Sequence, residues 1–71
     1  MALIEFTEKS GNPVWINDTA VEAVGVIYSD GTVTGDLPDA KPLTYVILKS
    51  GATFHLDHKT ETVVGRLQPY I

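Results

Sequence analysis

The chain contains no cysteine in its 71 residues. No disulfide can staple it, and no thiolate is available to bind a metal or attack a substrate. Basic residues are scarce, five Lys and Arg against nine Asp and Glu, for a net charge of −4. That balance disfavours attraction to a phosphate backbone, and it is too mild and dispersed to imitate a nucleic acid. No apolar run approaches the ~20 residues of a membrane span. Met1-Ala2-Leu3-Ile4 runs directly into Glu5 with no basic stretch or cleavage site. This is not a signal-peptide pattern, so a cytoplasmic home is expected.

What remains is a globular composition, 44% hydrophobic and 20% charged. The length implies a single domain over residues 1–71. A chain this short buries only ~60–65% of the surface it exposes when unfolded. Its core must come from packing alone, so a protein partner or a second copy of the chain is an expected way to cover leftover apolar surface.

Ala2 to Thr7 alternates, with Leu3 and Glu5 on one side and Ile4 and Phe6 on the other. Val14 to Asn17 reads as a second strand. Two registers are open. A two-residue Ser10-Gly11 turn sets Phe6 opposite Trp15 and buries the indole. A three-residue loop with Gly11 left-handed in a bulge sets Phe6 against Val14 and Ile4 against Ile16. The second keeps one face apolar and is preferred. Pro13 cannot donate to a ladder and marks an edge.

Asn17-Asp18-Thr19 reads as a turn. Val21 to Tyr28 reads as a longer strand, with a bend or bulge expected at Gly25. Asp30-Gly31 is a hairpin signal leading into a strand over Thr32-Val33-Thr34. The segment from Gly35 to Pro42 carries two prolines and no periodicity, which predicts a mobile loop.

Leu43–Lys49 and Ala52–Asp57 flank Ser50-Gly51, two β-branched and aromatic runs around a turn. A two-residue turn pairs Ile47 with Phe54 and Tyr45 with Leu56. Those four side chains then face the core, while Thr44, Val46, Leu48, Thr53, His55 and Asp57 face the other way. Glu61 to Leu67 reads as a helix capped by Asp57 or Thr60, with Val63, Val64 and Leu67 as its apolar stripe and Gln68-Pro69 as its end. The expected fold is α+β and mostly β: about five antiparallel strands in one curled, barrel-like meander, with one C-terminal helix.

His55, Asp57, His58 and Glu61 are the one cluster with metal-ligand chemistry, since imidazole and carboxylate together suit a divalent ion. Their spacing matches no zinc pattern, and a polar strand end followed by a solvated helix start accounts for them. No metal or other cofactor is expected. Asp36 and Asp39 form a carboxylate pair on a loop that offers no shielded cleft, so turn support is the better reading. Ser10, Ser29 and Ser50 all fall in turns beside glycines. Trp15, Tyr28, Tyr45 and Tyr70 have the chemistry of a stacking platform for single-stranded nucleic acid. The basic groove such a platform needs is missing, because Lys9, Lys41, Lys49, Lys59 and Arg66 are scattered.

Gly11-Asn12-Pro13-Val14-Trp15-Ile16-Asn17, then Val21 and Val24, then Tyr45 to Gly51, then Val63-Val64 and Leu67, form an ordered set. In that order the chain resembles the small FlbD/SwrD-type proteins associated with flagella and swarming, and similar short phage or prophage accessory products. The resemblance implies a strand-Gly-strand hairpin followed by a short helix, and it brings no catalytic residues. The chain departs from the pattern in a longer middle, Ile27 to Leu43.

The function expected is a non-enzymatic protein–protein interaction module. Its contact residues are read as Trp15 and Val14 on the edge strand and Leu37, Asp39 and Lys41 in the proline loop. The alternative is a small β-barrel that binds single-stranded nucleic acid.

Overall fold

The computed structural model describes residues 2–68. In chain order these form β1 (Leu3–Thr7), β2 (Pro13–Asn17), a single 3-10 turn (Asp18–Ala20), β3 (Val21–Tyr28), β4 (Pro42–Leu48), β5 (Thr53–Leu56) and α1 (Thr60–Leu67). The protein is mostly β with one helix, as expected. The expected helix end at Pro69 lies outside the described residues.

The strands do not join into one five-stranded curled sheet. They form a two-stranded sheet, β1-β2, and a three-stranded sheet, β3-β4-β5, and nothing closes into a barrel. The two sheets meet at one isolated bridge, Glu8 to Leu56. Lys9 N–H donates to the His55 carbonyl and Asp57 N–H to the Thr7 carbonyl, both at 2.8 Å. The ladder goes no further because β5 ends at Leu56 and the chain turns toward the helix. Side chains then take over the free backbone groups of β1. Thr7 N–H donates to His58 Nε2 at 2.9 Å. Arg66 donates to the Glu5 carbonyl at 3.2 Å.

The first hairpin takes the three-residue loop. Ile4 faces Ile16, Glu5 faces Trp15 and Phe6 faces Val14. Gly11 has φ +94°, a conformation open to glycine at little cost. The turn beyond β2 forms as expected, with Asn17 Oδ1 accepting from Thr19 N–H at 3.0 Å. Asp18 is buried, which its place in a turn does not suggest. Its N–H donates to the Ala2 carbonyl and its Oδ1 accepts from Ala2 N–H, so it ties down the start of β1.

The second hairpin differs from expectation by one residue. Val46 faces Phe54 and Thr44 faces Leu56, while Tyr45 faces His55 and Ile47 faces Thr53. The loop holds three residues, Lys49-Ser50-Gly51, closed by Leu48 N–H to the Ala52 carbonyl at 2.8 Å. One extra loop residue moves every β4 side chain to the other face relative to β5. Val46, Leu48, Phe54 and Leu56 therefore line the core, and Tyr45 and Ile47 lie on the reverse face beside His55.

The core is built from Phe6, Ile16, Val46, Leu56, Val63 and Leu67, with Ile4, Val14, Val21, Val24, Leu48 and Phe54 packed around it. Both sheets and the helix contribute to it. The helix has no side-chain N-cap: Lys59 occupies the cap position. Thr60 begins the helix and pairs its hydroxyl with that of buried Thr44 at 3.2 Å, and Asp57 is engaged by Lys41.

Two expectations in the middle of the chain also change. The irregularity in β3 lies between Val21 and Ala23, not at Gly25. Gly25 instead lies under the Tyr45 ring, where a Cβ would come within 2.4 Å of the phenol. Thr32-Val33-Thr34 is not a strand. The chain does turn at Asp30-Gly31, but β3 pairs with β4, and residues 29–41 form one loop. Val33 stays exposed there, so a strand at this position would have no apolar face to bury.

Candidate functional site

The outer face of the first hairpin is the most exposed apolar surface on a regular element. Core-facing positions alternate with outward ones, so burying Phe6 and Ile16 sends Leu3, Glu5 and Trp15 to the other side. Trp15 is 56% exposed and Leu3 68%. Leu3 sits diagonally across from Trp15, within reach of the large ring. Sequence reasoning singled out the indole and missed its aliphatic neighbour, although the alternation places Leu3 on that side.

β2 pairs only with β1 and leaves an open edge. Asp18 N–H donates to Ala2 and Glu8 N–H to Asn12, which sets the hydrogen-bonded pairs at even positions. The Trp15 N–H and C=O therefore point outward along the free edge. Edge strands elsewhere are guarded by charged side chains. This one, Pro-Val-Trp-Ile-Asn, carries none and has only Pro13 as a block at one end. Val14, grouped with Trp15 from the sequence, lies on the opposite face and packs against the core.

The other predicted contact residues fall in the loop over residues 29–41, which is held by hydrogen bonds centred on Asp30. The Asp30 carboxylate accepts from Thr32 N–H at 3.0 Å, Thr32 Oγ1 at 2.7 Å and Leu37 N–H at 3.0 Å. These bonds, those of Thr32 first, lower its pKa from 3.8 to about 2. Lys41 N–H donates to Ser29 Oγ at 2.8 Å. Lys41 Nζ pairs with Asp57 at 2.8 Å, and that hydrogen bond and charge lower the Asp57 pKa. Asp36 accepts from the Thr34 hydroxyl, in keeping with turn support. Leu37 is exposed, as is Asp39. The predicted contact residues thus divide between two elements, with Lys41 engaged in an ion pair.

The cluster of metal-ligand type does not converge. His55 faces away from the core, Asp57 holds Lys41, the ring of His58 accepts from Thr7, and Glu61 is exposed in the first helical turn. Among the described residues no group of three or more His, Asp or Glu side chains is placed to hold a metal ion. The aromatics are dispersed as well. Tyr45 covers Gly25, Tyr28 lies against Gly35, Trp15 is on the first hairpin, and Tyr70 lies outside the described residues.

Among the described residues no helix is long and apolar enough to cross a membrane. No family model, curated protein or solved structure matches the chain.

Proposed function

We propose that the chain is a non-enzymatic protein–protein interaction module, a small cytoplasmic accessory protein of bacterial or phage origin. Its contact surface is the outer face and free edge of the first hairpin. The observation that carries this reading is Trp15: a large aromatic, more than half exposed, beside exposed Leu3 on an uncharged edge strand. Tryptophan is the residue type most enriched among interface anchors. The outward N–H and C=O of Trp15 suit an extended partner segment that adds a strand to β2, with the indole as side-chain anchor. Glu5, on the same face, favours a partner strand with a basic residue.

The test is Trp15→Ala. The substitution touches no buried position, so thermal stability should change by less than about 1 kcal/mol. A photo-crosslinking residue at position 3, in extract of the native host, should give a discrete protein adduct that Trp15→Ala abolishes. An adduct unaffected by Trp15→Ala refutes the reading, as does a chain that forms no protein adduct. Salt-sensitive gel-shifts with single-stranded DNA or RNA would favour the nucleic-acid alternative instead.

A further inference from the structure

We propose that His58 is a pH-sensitive clasp that fastens the end of β1 to the chain leaving β5 and loosens in mild acid. The contact joins residues 51 apart, Thr7 N–H donating to His58 Nε2 at 2.9 Å. A ring nitrogen that accepts a hydrogen bond carries no proton, so the imidazole in this structure is neutral. Protonation turns that acceptor into a donor aimed at another donor, and the bond is lost.

Several contacts hold the ring in place. Thr44, fully buried on β4, donates its hydroxyl to the His58 carbonyl at 2.7 Å and fixes the backbone. From β1, Phe6 meets the ring edge-on with centroids 5.6 Å apart. From α1, the Arg66 guanidinium lies over the same Phe6 ring, also at 5.6 Å, and donates to the Glu5 carbonyl. The charged groups around His58 are Arg66 on the helix, Asp57 beside it in the chain, and Lys41 and Lys59, which border the same shallow groove. Asp57 is the one anion among them, and it is already paired with Lys41.

Burial of the ring first, and Arg66 second, lower the His58 pKa below its ordinary 6.5, while Asp57 opposes them weakly. Where this contact opens, the imidazole lies in water and binds a proton more readily. The clasp therefore contributes fully above pH 6.5 and weakens as the pH falls below that value. The other sheet-to-sheet backbone bonds, Lys9 to His55 and Asp57 to Thr7, flank this contact, so their amides read its opening.

Amide exchange read by NMR from pH 7.5 to 5 tests the proposal. Corrected for intrinsic rates, exchange at Thr7, Lys9 and Asp57 should rise by about tenfold per pH unit below 6.5 until the folded-state pKa is reached. The His58 ring nitrogens should report a neutral, Nδ1-protonated tautomer that titrates below 6.5. His58→Gln retains an acceptor that does not titrate in this range and should flatten the profile, whereas His55→Gln should leave it intact. A flat wild-type profile, a His58 titration at or above 6.5, or a slope that persists in His58→Gln would overturn the clasp. Should His58→Gln not fold, the wild-type ring shifts and exchange profile still decide.

Discussion

The first hairpin turns at Lys9-Ser10-Gly11 and the second at Lys49-Ser50-Gly51, the same three residues in the same order. Their geometry is the same too. Both glycines sit at φ +94°, and both loops close with a 2.8 Å bond, from Glu8 N–H to Asn12 in one and from Leu48 N–H to Ala52 in the other. The strands these turns join meet very different surroundings. β2 is an edge strand with one face in the core and Trp15 bare on the other. β4 is the central strand of its sheet, with Thr44 and Val46 fully buried on one face and Tyr45 and Ile47 half-buried on the reverse. One local device therefore serves an exposed ribbon and the middle of the protein alike, and burial distinguishes the two hairpins more than turn chemistry does.

The sharpest way to break that comparison is to truncate one core residue in each hairpin. Phe6→Ala should cost about 3–5 kcal/mol and Leu56→Ala about 2–5 kcal/mol, read by chemical denaturation. Either is a large share of a small domain's total stability. If Phe6→Ala proved far cheaper than Leu56→Ala, the first hairpin would be a loose flap and not half of the core. The turns come next. Gly11→Ala and Gly51→Ala should each cost about 1–2 kcal/mol through left-handed backbone strain, since no neighbour within 4 Å meets either added methyl. Unequal losses would show that the matching geometry hides different constraints. Smallest is Gly65→Ala, the same exchange on an exposed helical position with open space around it. It should raise stability by about 1 kcal/mol, and the opposite sign calibrates the turn variants.

The same comparison explains what could be read from the chain beforehand. The first hairpin's register was legible because only one choice keeps Ile4, Phe6, Val14 and Ile16 together, so the apolar pattern and Gly11 agree. In the second hairpin both faces are apolar, Tyr45 and Ile47 on one and Val46 and Leu48 on the other. Pattern could not choose, and the turn alone decided; the repeated Lys-Ser-Gly triplet was the available cue. The helix was legible from spacing, and of its expected stripe of Val63, Val64 and Leu67 the core takes Val63 and Leu67, leaving Val64 half-buried. The division into two sheets was not legible, because it depends on β5 stopping at Leu56 and on His58 and Arg66 taking up backbone groups of β1. The outward placing of Trp15 was legible from the register. The role of His58 was not, since a hydrogen bond spanning 51 residues leaves no local signal.

The ring of Tyr45 lying across Gly25 has a consequence for how this chain can vary. Even the smallest side chain at position 25 collides with the phenol at 2.4 Å. Any side chain at position 25 obliges the Tyr45 ring to swing off its neighbouring strand and give up the cover it now provides. The two positions, directly opposite on neighbouring strands, set each other's room: the bare backbone of one is the bed of the other's ring.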